Sequence, residues 1–410
     1  MPRQPGKHAL AFILITIFVD TVAFGVIIPV LPKLIAQLGK TSIAEAAAYG
    51  GGLMFVFALA QFLFAPVIGN LSDRFGRRPV LLVSLAVLGM DYVIMGFAPS
   101  LWWLFAGRLV AGMAAATFAT ANAYVADITH EEDRAARFGL IGAAWGVGFV
   151  MGPAIGGLLG ELGLRVPFFA AAGLALANVI YGLMVLPETL ARDKRRPFDW
   201  KRANPVGALK AVRQFPVVFG LFGVLVLYHM AHDVNPSTWT YYVLHKFQWS
   251  AGQIGLALAV VGLSGALVSA TLVGPVVKRL GEAGAAYLGL MLGAAGFFTT
   301  GLATQGWMLF PAIAIGAFMG LVMPALRSIM SQAVGDDAQG ELQGAIGSLM
   351  GFTSIFAPLI MTQTFSAFSS GSGTYFPGAP FVLASSLLVM ALLMALAILC
   401  SPQVASGGGG

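Results

Sequence analysis

Four ionisable side chains stand where an otherwise apolar sequence has no obvious place for them. Asp20, Asp91 and Arg108 interrupt long aliphatic and aromatic runs, and Asp233 follows His229 and His232 in another. A charge at the centre of a membrane helix costs at least ~2.5 kcal/mol on insertion scales, so each such group needs a partner or a use. A carboxylate in that setting can take up and release a proton. Desolvation favours its neutral form and a neighbouring guanidinium its ionised form, so a site that alternates between the two couples proton entry to solute exit. No His/Cys cluster with metal-ligand spacing, phosphate-binding glycine loop with its Lys, or Ser/His/Asp elbow accompanies these residues. Neither a metal, a cofactor nor enzymatic turnover is therefore expected.

The composition says what holds these charges. Charged residues make up 10% of the 410 positions and apolar types 58%, whereas a soluble domain carries roughly 25% charged residues. Such a chain cannot supply a polar skin and belongs mostly in lipid. Its 52 glycines suit membrane helices, where small residues let backbones approach closely. Cys400 is the single cysteine, which rules out an intrachain disulfide. The basic start (Arg3, Lys7) before an apolar run looks like a signal peptide. That run is too long, carries Asp20 and lacks a small-residue cleavage site, so it is read as a first transmembrane helix.

A helix needs roughly 20 apolar residues to cross the hydrocarbon core. Runs of that kind lie near 9–32, 48–70, 79–98, 101–126, 137–162 and 166–187, and again near 215–241, 252–276, 283–303, 306–330, 341–367 and 379–401. The expected fold is thus an all-α integral membrane protein of twelve spans in two six-helix bundles, 1–187 and 214–402. Between them, 188–213 is a basic linker holding Arg192, Lys194, Arg195, Arg196, Lys201, Arg202, Lys210 and Arg213; 403–410 is a tail or remnant. With loops assigned alternately, only Lys33, Lys40, Arg165 and Lys246 fall on the side opposite the linker. This asymmetry places both termini in the cytoplasm. The net charge of +6 is then mainly a topology signal, and the lack of a folded basic domain argues against nucleic acid as a partner.

Depth along the helices relates the charges to one another. At 1.5 Å per residue Asp20 lies about 15 Å and Asp91 about 18 Å from the cytoplasmic end of its span, and Arg108 comes down the next span to a similar level. Asp91 and Arg108 can therefore meet, either as a structural ion pair or as a switchable one. Asp20 has no basic neighbour on its own helix. Asp233 precedes Asn235 and Pro236, and Pro236 removes a backbone donor, so an unwound segment is expected there. An interfacial polar turn is the other reading of that segment. Gln61, Asn122, Asn235, Trp239 and Gln343 are the candidates for a solute cavity.

The turn between the second and third spans is the densest charged site. It reads Gly69-Asn70-Leu71-Ser72-Asp73-Arg74-Phe75-Gly76-Arg77-Arg78. Its spacing resembles the G-x-L-x-D-R-x-G-R-R/K signature of major facilitator transporters. A weaker echo, Gly274 to Gly281, follows the eighth span, keeping glycines and bases but not the acid. Parallel halves around a central pathway are the expected architecture of such a transporter. In the fifth span, Gly148, Gly152, Pro153, Gly156 and Gly157 match the G-x-x-x-G-P-x-x-G-G pattern of that superfamily's drug/proton antiporters.

The likeness is closer still to the tetracycline/proton antiporters. Asp20–Pro32, Gln61–Pro66, the Asp73 turn, Asp91-Tyr92, Gly107-Arg108-Leu109 and the fifth-span motif carry it, with Phe247-Gln248-Trp249, Pro324-Ala325-Leu326 and Leu342-Gln343-Gly344 further on. This resemblance implies a proton-driven, monomeric exporter in a bacterial inner membrane, exchanging a hydrophobic or amphipathic drug for protons. It implies that Asp20, Asp91 and Arg108 are the embedded functional charges and that Gln61 faces the cavity. Gly69, Asp73, Arg74, Gly76, Arg77 and Arg78 would form a cytoplasmic gate, with Asp127 as partner to Arg77. The chain departs from those pumps in its second half, where their span-eight histidine and span-nine acid are missing and Asp233 appears in span seven. The other functional class is a proton-coupled symporter taking up a sugar or organic acid; the fifth-span motif argues against it. A receptor or scaffold would need a soluble signalling domain, and no loop beyond 188–213 is long enough for one. If Asp233 contacts solute, Asp233→Ala lowers export of a cationic compound more than of a neutral one. Equal losses for both would assign it to folding.

Overall fold

The structure, a computed structural model, describes residues 7–115, 117–129, 134–198, 216–334, 338–371 and 373–400. Within them there are helices and connecting turns but no strand. Residues 199–213 of the expected linker and the 403–410 tail lie outside the described residues. The chain separates into two compact units: 1–46, 56–205 and 249–262 form unit 1, and 47–55, 206–248 and 263–410 form unit 2.

Unit 1 is built from α1 (Lys7–Ile27), α2 (Leu31–Gly39), most of α3 (Ile43–Phe75), α4 (Arg77–Phe97), α5 (Leu101–Ala114), α6 (Thr117–Ile128), α7 (Arg134–Leu162) and α8 (Val166–Val185). Phe12, Ile13 and Ile17 of α1 meet Leu81 and Leu85 of α4, Tyr124 and Val125 of α6 and Ile141 of α7 in a buried core. The expected single span over 101–126 is instead two helices, α5 and α6, interrupted at Ala115, whose φ of −73° and ψ of 65° leave the helical range. Among the described residues eleven helical segments are long and apolar enough to cross a membrane, one fewer than the twelve expected, and α5 is a shorter apolar helix.

The fifth-span glycines explain how α1 and α7 pack. A Cβ at Gly152 would lie 2.8 Å from the Gly25 Cα, and one at Gly148 would lie 2.9 Å from the Phe18 carbonyl. At Gly156 it would lie 2.6 Å from the Val26 carbonyl carbon. The three recur every four residues, so one face of α7 meets α1 backbone to backbone. Gly157 lies toward the start of α11 (Ala251–Thr271), with its would-be Cβ 2.5 Å from the Ala251 carbonyl. Beside it the Glu161 carboxylate accepts the Gly252 N–H at 2.8 Å, satisfying an otherwise orphaned first-turn donor.

In unit 2, α9 (Pro216–His232) and α10 (Val234–Phe247) are followed, after α11, by α12 (Val273–Leu302), α13 (Leu309–Gly316), α14 (Val322–Gln332), α15 (Gln339–Ser369) and α16 (Ala379–Leu399). A positive φ of 71° at Gly281 kinks α12 near its start. The unwound segment expected around Pro236 does not form. Asp233, between α9 and α10, keeps right-handed helical angles (φ −65°, ψ −12°). The Asp233 N–H to His229 carbonyl and Ser237 N–H to Asp233 carbonyl bonds, at 3.0 and 3.1 Å, carry the helical pattern across. Pro236 sits in the first turn of α10, a position that tolerates its missing N–H.

The two halves repeat local chain geometry that the sequence hides. α2 and α10 both end on a left-handed residue, Lys40 (φ 51°) and Gln248 (φ 55°). Each is followed by a reciprocal cap: Ser42 with Glu45 opens α3, and Ser250 with Gln253 opens α11.

The α1–α7 seam makes a test of packing. Gly156→Ala forces a methyl into the Val26 backbone and should destabilise the protein by roughly 1–3 kcal/mol. Gly146→Ala, where a Cβ meets nothing within 4 Å, should leave thermal stability in detergent unchanged or slightly raised. Equal melting points for the two variants would contradict the packing described.

Candidate functional site

Two clusters in unit 1 carry the chemistry. The first lies inside the helices. Asp91 of α4 is 2% exposed and Arg108 of α5 is 9% exposed, and the two side chains form an ion pair. The approach depends on Gly107, because a Cβ there would run into the Asp91 carboxylate. The Arg108 guanidinium also stands over the Phe57 ring at 5.3 Å, a favourable place for a desolvated cation.

Beside this pair a cavity of about 220 Å³ is bounded by Asp20, Phe57, Gln61, Tyr92, Ala115 and Trp145, among others. Asp20 Oδ1 is buried with no hydrogen-bond partner among the described residues. In apolar surroundings a polar atom left in that condition is costly unless a proton or a ligand completes it. Gln61 Nε2 donates to the Ala115 carbonyl at 3.1 Å. The α5–α6 break and the cavity wall are thus tied together by one amide. Trp145 stacks on Phe149 with ring centroids 5.2 Å apart, giving the cavity a flat apolar side.

The second cluster closes the α3–α4 turn. Gly76 takes a φ of 109°, a conformation that favours glycine and leaves α4 with no side chain at its N-cap position to satisfy its first N–H groups. Glu188 does this from the segment just after α8: its carboxylate accepts the Arg77 N–H at 2.9 Å and the Arg78 N–H at 3.3 Å. It also accepts the N–H groups of Thr189 and Leu190 at 3.0 Å each. Arg77 reaches Asp73 at 2.6 Å and Asp127 at 3.2 Å, and it donates to Ser72 Oγ. Asp127 also accepts the Thr189 hydroxyl at 3.3 Å. The start of the linker is drawn in, with the Arg196 N–H donating to the Asp73 carbonyl at 3.2 Å. Arg78 donates to the Leu183 carbonyl at 2.7 Å and Arg74 lies over Phe75 at 5.2 Å. Gly69 has open space around it.

Of the cavity candidates, Gln61 lines the cavity with Asp20. Asn122 is half-buried on α6 outside that lining. Asn235 and Trp239 lie on α10 and Gln343 is exposed on α15, all in unit 2. Asp233 stands at the N-cap position of α10 without capping it. Its Oδ2 and the His229 Nε2 are both buried without hydrogen-bond partners among the described residues. Glu188 was missed by sequence reasoning; the signal was a lone acid directly after an apolar span, beside a turn whose glycine leaves donors uncapped.

The pattern of the Major Facilitator Superfamily matches residues 13–358 and, in a second match, 221–408. The chain is 44% identical to the tetracycline resistance protein, class C, of Escherichia coli over 89% of its length and 91% of that protein's. It is 39% identical to the class G tetracycline resistance protein of Vibrio anguillarum, over 86% and 89% of the two chains. In fold it is similar to the crystal structure of the nucleoside transporter NupG, with a TM-score of 0.76 at 14% identity, covering 96% of this chain and 99% of that one. The chain belongs to the Major Facilitator Superfamily, within the family of the tetracycline resistance proteins.

Proposed function

We propose that this chain is a proton-coupled antiporter that exports tetracycline-like drugs by alternating access across a bacterial inner membrane. It would work as a monomeric multi-pass protein with both termini in the cytoplasm. The likeness to tetracycline resistance proteins over most of its length supports the substrate class. The observation that carries the mechanism is the unpartnered Asp20 carboxyl oxygen in a cavity that also presents Gln61, Tyr92 and Trp145.

In this reading Asp20 is the group that exchanges a proton as drug enters or leaves. The aromatic rings take the drug's apolar faces and the Gln61 amide its polar edge. Asp91 and Arg108 stay paired while Asp20 changes charge, so the cavity never holds two free anions. Asp233 is a second coupling candidate, in unit 2. Asp73, Arg77 and Asp127, positioned by Glu188, form the cytoplasmic gate, while Gly148, Gly152, Pro153, Gly156 and Gly157 keep α7 against its neighbours.

In proteoliposomes with an imposed pH gradient, tetracycline should move against its own gradient while protons move the other way. Asp20→Asn should bring the proton-coupled component to background while drug still binds. Coupled transport that survives Asp20→Asn with unchanged pH dependence would remove Asp20 from the role. Proton movement with other drugs but not tetracycline would redirect the substrate assignment.

Arg108→Gln strands Asp91 as an unpaired buried anion and should destabilise the protein by roughly 3–5 kcal/mol. Asp91→Asn combined with Arg108→Gln should recover much of that loss. Folded protein restored in the double variant without transport assigns the pair a part in the cycle; transport restored with it makes the pair structural.

A further inference from the structure

The gate in unit 1 has an internal counterpart that its residue types conceal. In unit 1 a positive-φ glycine, Gly76, turns the chain, and the next residue, Arg77, reaches Asp127 near the end of α6, 50 residues on. In unit 2 a second positive-φ glycine, Gly281, turns the chain, and the next residue, Glu282, reaches Gln332 at the end of α14, again 50 residues on. The repeated caps at Ser42 and Ser250 mark the same relation earlier in each half. The position is kept while its chemistry is inverted, with an anion where the first half has a cation and a neutral amide where it has an anion.

The second arrangement is complete without a countercharge. Gln332 Nε2 donates to both Glu282 oxygens, at 3.0 and 3.1 Å, and to Ser328 Oγ at 3.3 Å. The Ser328 hydroxyl also donates to Glu282. Among the described residues no ion pair involves Glu282, and the nearby Lys278 and Arg279 are exposed on the other side of the glycine kink. Donors to a carboxylate hold it by hydrogen bonding, without a countercharge. Such a contact ties the start of α12 to the end of α14.

We propose that Glu282, with Ser328 and Gln332, is the positioning residue of a second gate latch, one that joins α12 to α14 by neutral donors where unit 1 uses an ion pair. The proposal rests on reading the Asp73–Arg77–Asp127 cluster as a gate. What Glu282 supplies is acceptor oxygens rather than charge, which separates it from a proton-carrying role.

The test compares variants in tetracycline–proton exchange, with kcat and KM measured separately. Glu282→Gln keeps an acceptor and should stay within about twofold of the unmodified protein. Glu282→Ala should lower kcat about fivefold or more with little change in KM. Gln332→Glu places two carboxylates together and should do the same, and Glu282→Gln in that background, which exchanges acid and amide, should restore kcat. The proposal is overturned if Glu282→Gln is as impaired as Glu282→Ala, if Glu282→Ala has no effect, or if the exchanged pair is no better than Gln332→Glu alone. Should Glu282→Ala fail to fold, Glu282→Gln and the exchanged pair still decide. Asp127→Asn runs in parallel: its loss with an unaffected Glu282 series refutes the second latch and leaves the first gate standing, whereas the reverse removes the reading of the first cluster.

Discussion

The burial of opposite charges inside the helices is the constraint on which the rest of unit 1 depends. Asp91 and Arg108 meet it by closing on each other, and the fold around them serves that closure. Gly107 gives up a side chain so that α5 can reach Asp91. Phe57 covers the guanidinium on its open face. Gly112 admits α3 so closely that a Cβ would lie 2.5 Å from the Phe57 carbonyl. A buried pair of this kind adds little net stability, because desolvation offsets most of the attraction. What it does supply is a fixed position for α4 and α5 beside a cavity in which Asp20 Oδ1 has no hydrogen-bond partner among the described residues.

Much of this was legible in the residues. Charges stranded in apolar runs announced Asp20, Asp91 and Arg108, and helix rise alone set the last two at one depth. Spacing named the turn around Gly76, and the resemblance to the tetracycline/proton antiporters named Asp127 as partner to Arg77. The breaks were less legible. Ala115 is neither glycine nor proline, so nothing local marks the end of α5; tertiary packing and the Gln61 amide decide it. Pro236 suggested an unwound segment that the chain does not form, since a proline in a first turn fits a helix start and Asp233 before it keeps helical backbone angles. Glu188 escaped notice because its role is to satisfy donors on a helix distant in sequence, which no local pattern records.

The same limit hid the repeat in unit 2. Comparing letters, the second turn seemed to have lost its acid; comparing chain geometry, an acid sits one place past the glycine and finds donors at the end of α14. Backbone conformation outlasts side-chain identity in duplicated halves because a positive φ constrains the residue type far more than a surface contact does.

The seam between α1 and α7 has a consequence for how such a protein diversifies. With Gly148, Gly152 and Gly156 set into the backbone of α1, the two helices cannot slide along each other without lifting a glycine onto a carbonyl. The seam works as a ruler, holding the Asp20 carboxylate at one height relative to Trp145. Side chains around the cavity are then free to change, reshaping its walls, while the Asp20 carboxylate stays at its level.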